Sequence, residues 1–388
     1  MEEVFFMIMK ESEINNIYEN LEKKIEAECK RMENKIPYWT EDGIYQQDYA
    51  EKDIYWWTNG FWSGILWQLY HATQKELYLN TARKNEELLD KALHGFTGLH
   101  HDTGFMWLHS AVADYRLTGS QEALVRGLTA ASVLAGRYNP VGKFIRAWNP
   151  DCVEEGEDCT GWIIVDSMMN IPLLYWASQI TGDPRFSQIA VNHADTVASC
   201  LVRDDGSCGH IACINPETGE LEQILAGQGY SETSSWSRGQ SWILYGFALS
   251  YRYTKNNAYL DIAKKTAHYF IANIGLTRYV PLCDFRQPAS SSYLDASAGL
   301  CAACGLLEIA EHVDEPDKNL YRFYAELIIQ NTAETCCNWD PETDSIVQNC
   351  KVAFHNDRRE QTDLIYADYF LTEAILRLKG KDLSLIHI

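Results

Sequence analysis

The sequence predicts an all-α protein built from six helical hairpins that close into a toroid, with small β-hairpin insertions in its loops. Two observations carry this reading. Apolar residues recur with a helical period from end to end, and four polar breaks of like design each end one apolar helix and open another.

The periodic segments fall near 11–33, 59–73, 76–94, 104–117, 120–138, 164–180, 183–202, 236–253, 257–274, 294–313, 317–336 and 365–379. The breaks are Ala72-Thr73-Gln74-Lys75, Leu117-Thr118-Gly119-Ser120, Ile180-Thr181-Gly182-Asp183 and Tyr253-Thr254-Lys255-Asn256. Each supplies a polar cap to the helix that follows. Before the break the helix is rich in aromatic and small residues (Trp62, Trp67, Trp107, Trp176, Trp242), and after it one face carries charge, as in Ala82-Arg83-Lys84-Asn85-Glu86-Glu87. Buried helices therefore alternate with half-exposed ones. An open array needs polar capping repeats, and neither end marks one, so closure is favoured. The long connections 139–162 and 203–235 hold eight of the 24 glycines. The second reads as a β-hairpin, Gly209-to-Ile214 and Leu221-to-Leu225 joined by Asn215-Pro216-Glu217-Thr218-Gly219. No Pro- or Ser-rich linker divides residues 1–388, which read as one domain, and Leu383-to-Ile388 reads as a loose end after Gly380-Lys381.

Of the 388 residues 46% are hydrophobic, 22% charged and 12% aromatic, enough apolar material for a sizeable core. The formal charge of −21 repels polyanions, so nucleic-acid binding is not expected. No apolar run approaches the roughly 20 residues that cross a bilayer, so no membrane association is expected either. Met1-Glu2-Glu3 has acids where a secretory signal needs bases, and a cytoplasmic location follows as the expectation. The twelve cysteines show neither disulfide-scaffold nor metal-finger spacing. Cys301 and Cys304 lie in the small-residue stretch Ala296-to-Gly305, where helix packing explains them better than redox or metal chemistry.

Four constellations could carry chemistry. In His100-His101-Asp102-Thr103-Gly104-Phe105, Asp102 is either an N-cap or a functional carboxylate. In Ile163-Ile164-Val165-Asp166-Ser167-Met168-Met169-Asn170, Asp166 is a lone carboxyl among apolar neighbours. Burial there would keep it protonated and able to donate, although it too could cap a helix. After Gln228-Gly229-Tyr230-Ser231-Glu232, a helix beginning near Trp236 puts Arg238 and Trp242 on one face, a planar cation beside an aromatic plate. That suits a carboxylated sugar, and a surface Arg beside a core Trp is the alternative. The fourth is the aromatic run Trp56-Trp57-Thr58-Asn59-Gly60-Phe61-Trp62 with Trp148, whose rings suit sugar faces or simply a core. No nucleophile elbow, Walker loop or dinucleotide fingerprint is present, and His101 and His210 are too isolated in sequence to argue for zinc, so neither metal nor cofactor is expected.

These residues bring a family into view. The chain resembles the unsaturated glucuronyl hydrolases of glycoside hydrolase family 88 through Trp57-to-Gly64, His101-to-Phe105, Ile164-to-Asn170, Gly209-His210, Gln228-to-Glu232, Trp236-to-Trp242, Asp295-to-Ala298 and Ile365-to-Phe370. The resemblance implies an (α/α)6 barrel and hydration of the C4=C5 double bond of an unsaturated uronate at the non-reducing end of a lyase product. The C5 hemiketal then opens and the glycosidic bond is lost. By the same resemblance Asp166 is the general acid and base, and Asp102 the second carboxylate. His210, Gln228, Arg238 and Trp242 surround the uronate. Trp56, His101 and Trp148 form the pocket wall, and Tyr366 and Arg358 complete the substrate-binding set. Since an acidic protein must hold an anionic sugar, a local cation has to supply the pairing, and Arg238 is the expected one. The partner is an unsaturated uronate-containing oligosaccharide, and the chain is expected as a monomer or homodimer.

One departure bears on substrate choice. Members that accept sulfated glycosaminoglycan fragments carry Ser-x-x-Ser-x-Lys before the last helix, whereas this chain has Ala353-Phe354-His355-Asn356-Asp357-Arg358. Both serines are gone, which implies a preference for unsulfated or differently sulfated substrates. The alternatives are the related unsaturated rhamnogalacturonyl hydrolases of family 105, acting on pectin fragments, an α/α-toroid epimerase using paired histidines, and a non-catalytic saccharide-binding helical repeat.

Overall fold

The computed structural model describes residues 8–32, 34–356 and 361–381. Two helices precede the first hairpin, α1 (Glu11–Met32) and the short α2 (Tyr49–Lys52). Next come α3 (Phe61–Thr73), α4 (Glu76–Gly95), α5 (Thr103–Leu108), α6 (Ala111–Thr118), α7 (Gln121–Ala135), α8 (Pro172–Thr181) and α9 (Pro184–Leu201). The series ends with α10 (Ser237–Thr254), α11 (Asn257–Ile274), α12 (Ala296–Ala310), α13 (Asp317–Thr335) and α14 (Ile365–Leu378).

All twelve periodic segments are found, and two of them are broken for local reasons. The segment near 104–117 splits into α5 and α6 at Ser110, whose hydroxyl donates to the Met106 carbonyl (2.6 Å) and whose backbone leaves the helical region. The segment near 164–180 begins as a tight turn, Val165–Met169, before α8 starts with Pro172 in its first turn. Proline lacks the N–H that would carry a helix across that point.

Five hairpins pack in chain order: α3 on α4, α6 on α7, α8 on α9, α10 on α11 and α12 on α13. The sixth joins the two ends of the chain, α14 against α1, and α14 also packs on α3 and α12, so the ring closes. The inner helices are buried all round: every residue of α12 is buried, as are Ser237 to Ser250 of α10 and Ile365 to Leu376 of α14. Outer helices bury a stripe, in α11 Tyr259, Ala263, Thr266, Ala267, Phe270 and Ile274. Cys301 and Cys304 lie in the buried α12, as their small-residue context suggested, and all twelve cysteines are free. None of the described helices is long and apolar enough to cross a membrane.

The expected hairpin is present as β4 (Ile211–Ile214) and β5 (Leu221–Leu225). A ribbon of β1 (Tyr138–Asn139) and β2 (Phe144–Ile145) precedes it, and a strand not anticipated, β3 (Trp162–Ile164), pairs antiparallel with β4 through Ile164 and Ile211. Residues Leu383-to-Ile388, Arg358 and the Met1-Glu2-Glu3 start lie outside the described residues.

Between the first inner and outer helices, the Trp67 indole donates to buried Glu86 (2.7 Å). Burial, with the charge of Asp114 second, pushes the Glu86 carboxyl up to about 8 from 4.5. A folded value above the unfolded one means that its stabilisation is complete below 4.5 and is lost as pH rises through about 8. Glu86→Gln keeps the acceptor and cannot ionise, so its melting temperature should gain on wild type across that interval. Parallel melting-temperature profiles for the two proteins would contradict this.

Candidate active site

Two local devices bring Asp102 and Asp166 together. β3 runs directly into the Val165–Met169 turn, and the Val165 N–H donates to the His210 carbonyl (3.0 Å), so the register of β3 on β4 sets Asp166 beside His210. Meanwhile the start of α5 lies against Asn170, so closely that a Cβ on Gly104 would stand 2.4 Å from the Asn170 Cα. Only glycine permits that approach. Asp102, Asp166, Gln228, Arg238, Trp56 and Trp148 then line one cleft of about 420 Å³.

Asp102 occupies the N-cap position of α5, yet its side chain caps nothing. Asn170 does that work: its Oδ1 accepts the Phe105 N–H (2.7 Å), and its Nδ2 donates to Asp102 Oδ1 (2.9 Å) and to the Asp166 carbonyl (3.2 Å). Asp102 Oδ2 faces His100 Nδ1 at 3.2 Å and His101 Nε2 at 3.4 Å. Burial alone would push the Asp102 carboxyl up, but the His101 charge, together with hydrogen bonding from His100 and His101, outweighs it and holds the carboxyl well below the usual range. His101 itself is buried behind Asp102, and its N–H donates to the Ala147 carbonyl (3.1 Å), tying Asp102 to the Trp148 loop. His100, His101 and Asp102 are also the one group of three His, Cys, Asp or Glu side chains among the described residues close enough to share a cation, and they spend their contacts on one another.

Asp166 is not sealed among its apolar neighbours as expected. Successive side chains on a 3₁₀ turn point about 120° apart, so Val165, Ser167 and Met168 enter the core while Asp166 faces the cleft with 16% of its side chain exposed. Its Oδ1 has no hydrogen-bond partner and lies 3.7 Å from His210 Nε2. The Gln228 N–H donates to His210 Nδ1 (2.8 Å), and a backbone N–H can only donate, so in the neutral ring the proton sits on Nε2, toward Asp166. The Ala226 carbonyl lies 3.1 Å from the same Nδ1. Gly227 makes this possible: its φ is +54°, and a Cβ there would come within 2.0 Å of His210 Nδ1.

Arg238 reaches the cleft, but as half of a buried ion pair and not as an uncommitted cation. Its Nη1 donates to Asp295 (2.7 Å) and to the Lys351 carbonyl (2.9 Å), and its Nη2 to the Val352 carbonyl (2.6 Å), which leaves Nε unpartnered. A bare guanidinium could not be buried at tolerable cost. Burial would lower its pKa, and the Asp295 carboxylate more than offsets this, holding it above the usual range. Trp242 shares a face with Arg238 but lies one turn deeper, packed on Phe105 (5.3 Å) and Phe370 (5.5 Å). The plates against the guanidinium are instead Trp236 (4.6 Å) and Tyr366 (5.1 Å), and Tyr366 is fully buried behind it. Trp242 and Tyr366 are therefore core residues that do not line the cleft.

Trp57 and His100, which a one-residue shift would put in place of Trp56 and His101, also line the cleft, whereas sequence reasoning missed Trp236, Asp53 and Asp151 on its wall and Asn170 behind it. Asn170 ends the Ile163-to-Asn170 run with no local sign that two of its partners, Phe105 and Asp102, lie 65 and 68 residues upstream.

Comparison with known proteins gives a family, two relatives and a solved structure. The model of Glycosyl Hydrolase Family 88 matches residues 25–274. The unsaturated glucuronyl hydrolase of Bacillus sp. (strain GL1) is 37% identical over 328 residues, 83% of this chain and 86% of that protein. The unsaturated chondroitin disaccharide hydrolase of Streptococcus pneumoniae is 32% identical over 368 residues, 92% of each. Among solved structures, the unsaturated glucuronyl hydrolase from Bacillus sp. GL1, described as responsible for the degradation of glycosaminoglycan, superposes with a TM-score of 0.88 at 32% identity, covering 94% of this chain and 97% of that one.

Arg238→Ala should strand Asp295 as a buried, unpaired charge and cost about 3–5 kcal/mol in urea unfolding. A loss below about 1 kcal/mol would mean that the pair is not buried as described.

Proposed function

This chain belongs to Glycosyl Hydrolase Family 88, and from that premise we propose that it acts as an unsaturated glucuronyl hydrolase through Asp166 and Asp102. The observation that carries the proposal is the pair of unlike carboxyl environments in one aromatic-walled cleft: Asp102 held as an anion by two imidazoles and an amide, Asp166 with an uncommitted oxygen. Family membership decides against the family 105 alternative, and the carboxylate pair speaks against paired-histidine epimerase chemistry.

In the proposed mechanism the Asp166 carboxyl gives its proton to C4 of the C4=C5 bond, and positive charge develops at C5 and the ring oxygen. Asp102, kept ionised, stabilises that charge. Water adds its oxygen to C5 and returns a proton to Asp166, which restores the acid. The C5 hemiketal opens to a ketone, C1 is left as a hemiacetal, and its collapse to an aldehyde releases the remaining sugar. Attack is on the alkene and not on the anomeric carbon, so carboxylate spacing carries no retaining or inverting meaning. His210, with its proton on Nε2, stands 3.7 Å from Asp166 Oδ1, unbonded at rest and near enough to donate once the proton has left, while Gln228, Trp56 and Trp148 hold the sugar. Since Arg238 is already neutralised by Asp295 and its unpartnered Nε is buried, it lines the cleft without offering the uronate a net charge.

The substrate we favour is an unsaturated chondroitin- or hyaluronan-type disaccharide without a sulfate on the leaving sugar. The chondroitin name of the Streptococcus pneumoniae relative supports the class. Two features support the absence of sulfate: the missing serines of the 353–358 stretch, and the exposed carboxylates Asp53 and Asp151 on the cleft wall, which repel a second anion.

Asp166→Asn should bind the disaccharide with little change and lose roughly 10²–10⁴-fold in turnover. The readout is persistent ultraviolet absorbance of the conjugated alkene, and near-normal decay would end the assignment. Unsulfated chondroitin disaccharide should turn over faster than its 6-sulfated form, and Asp53→Asn with Asp151→Asn should narrow the gap by a few-fold, since each exposed carboxylate contributes about 1 kcal/mol at most. The reverse order of rates would refute the proposed preference.

A further inference from the structure

Beneath the Asp166 turn lies a buried histidine to which the proposed mechanism gives no part. His193, on α9, is fully buried and spans two elements. The Ile145 N–H of β2 donates to its Nδ1 (2.9 Å), and its Nε2 lies 2.6 Å from the Ser167 hydroxyl. Ser167 in turn donates to the Ile164 carbonyl (2.6 Å) at the end of β3. Every proton in this chain has one consistent position. A backbone N–H can only donate, so Nδ1 carries a lone pair and the ring proton is on Nε2. The Ser167 hydroxyl, having given its own proton to Ile164, accepts the one from Nε2. Burial, with the nearby His101 charge second, pushes the imidazole down to about 3, which agrees with a neutral ring carrying a single proton.

Ser167 is the immediate neighbour of Asp166, and among the described residues its hydroxyl makes the one side-chain hydrogen bond to Ile164, so the relay helps to fix where that turn leaves β3. We propose that His193 is a positioning residue for the hydration reaction, acting through Ser167 to hold the Asp166 carboxyl against the cleft and beside His210. The inference rests on the reading of Asp166 as acid and base, and it adds a residue 27 positions away that touches neither sugar nor water.

Three variants and two readouts test it. His193→Asn keeps an acceptor near the Nδ1 position and loses the donor to Ser167; His193→Gln does the reverse; Ser167→Ala removes the hydroxyl. His193→Asn and Ser167→Ala should each lower kcat roughly 10- to 100-fold with KM within about twofold, because a misplacement near 1 Å is costly to a reacting group. His193→Gln should recover most of kcat while melting at a lower temperature. Unchanged kcat in both His193→Asn and Ser167→Ala, or equal losses in all three variants that follow melting temperature, would overturn the proposal.

The second readout does not depend on turnover. Nitrogen-15 histidine spectra of the wild-type chain should give His193 as the neutral Nε2–H tautomer with a slowly exchanging ring proton, and a crystal structure of Ser167→Ala should show the 3.7 Å separation of Asp166 and His210 changed. An Nδ1–H tautomer or an unmoved Asp166 would refute the positioning role. If wild type leaves the alkene intact, the proposed reaction fails, and the spectra and crystal structure still decide whether His193 sets the turn.

Discussion

Everything at this site depends on one buried amide. A helix that begins with aspartate would ordinarily spend that carboxylate on its own unsatisfied N–H groups. Here the Asn170 side chain reaches across from the turn before α8 and takes the Phe105 N–H, so Asp102 is released from capping. The same amide donates to Asp102 and to the carbonyl of Asp166. One planar group thus satisfies a helix end, orients one carboxylate and anchors the residue that bears the other. Apolar packing could not replace it, because the Phe105 N–H and the Asp102 oxygen would both be left buried without partners.

The molecular charge of −21 makes recognition of an acidic sugar a short-range matter. Arg238 is the one cation on the described wall of the cleft, and Asp295 cancels it. What remains for the substrate is directional: the Gln228 side chain and the aromatic wall of Trp56, Trp57 and Trp148. Such contacts depend on orientation more than on charge, and that suits an enzyme that must tell a planar unsaturated ring from a puckered saturated one. The neutralised arginine also explains why Trp236 and Tyr366 pack against its faces, since a paired guanidinium tolerates an apolar wall that a bare one would not.

The ring of helices was legible because each helix is long and its period strong; even the contrast between α10, buried throughout, and α11, buried in a stripe, can be read from composition. Closure through α14 and α1 was legible only by elimination, since nothing local to either end names the other. β3 was not legible: three apolar residues before a turn carry no periodicity, and their partner lies beyond α8 and α9. At the site, residue type and spacing brought out Asp102, Asp166 and Arg238 as candidates with capping or core packing as the alternative, and the family resemblance added Gln228, but neither gave depth. The four-residue spacing of Arg238 and Trp242 states that they share a face, and the structure adds that this face descends into the core. Asn170 and His193 escaped for a related reason. Their roles consist of partners distant in sequence, so neither leaves a pattern near its own position.

Two carboxyls of one chemical type can divide acid from anion only if the protein treats them unequally. At Asp102 the inequality is built from donors: two imidazoles and an amide, enough to overcome the burial that would otherwise neutralise it. At Asp166 it is built from restraint, since the protein spends its hydrogen bonds on the backbone and on Ser167 around the residue and leaves Oδ1 unmatched. In the proposed mechanism a donor fixed tightly on that oxygen would favour the carboxylate and hinder protonation of C4, whereas His210 at 3.7 Å stands too far for a full hydrogen bond and near enough to form one as the proton leaves. Rigid support beneath the turn and slack at its tip are therefore one design: the proposed acid is held in place through its backbone and Ser167, while its Oδ1 is left without a fixed donor.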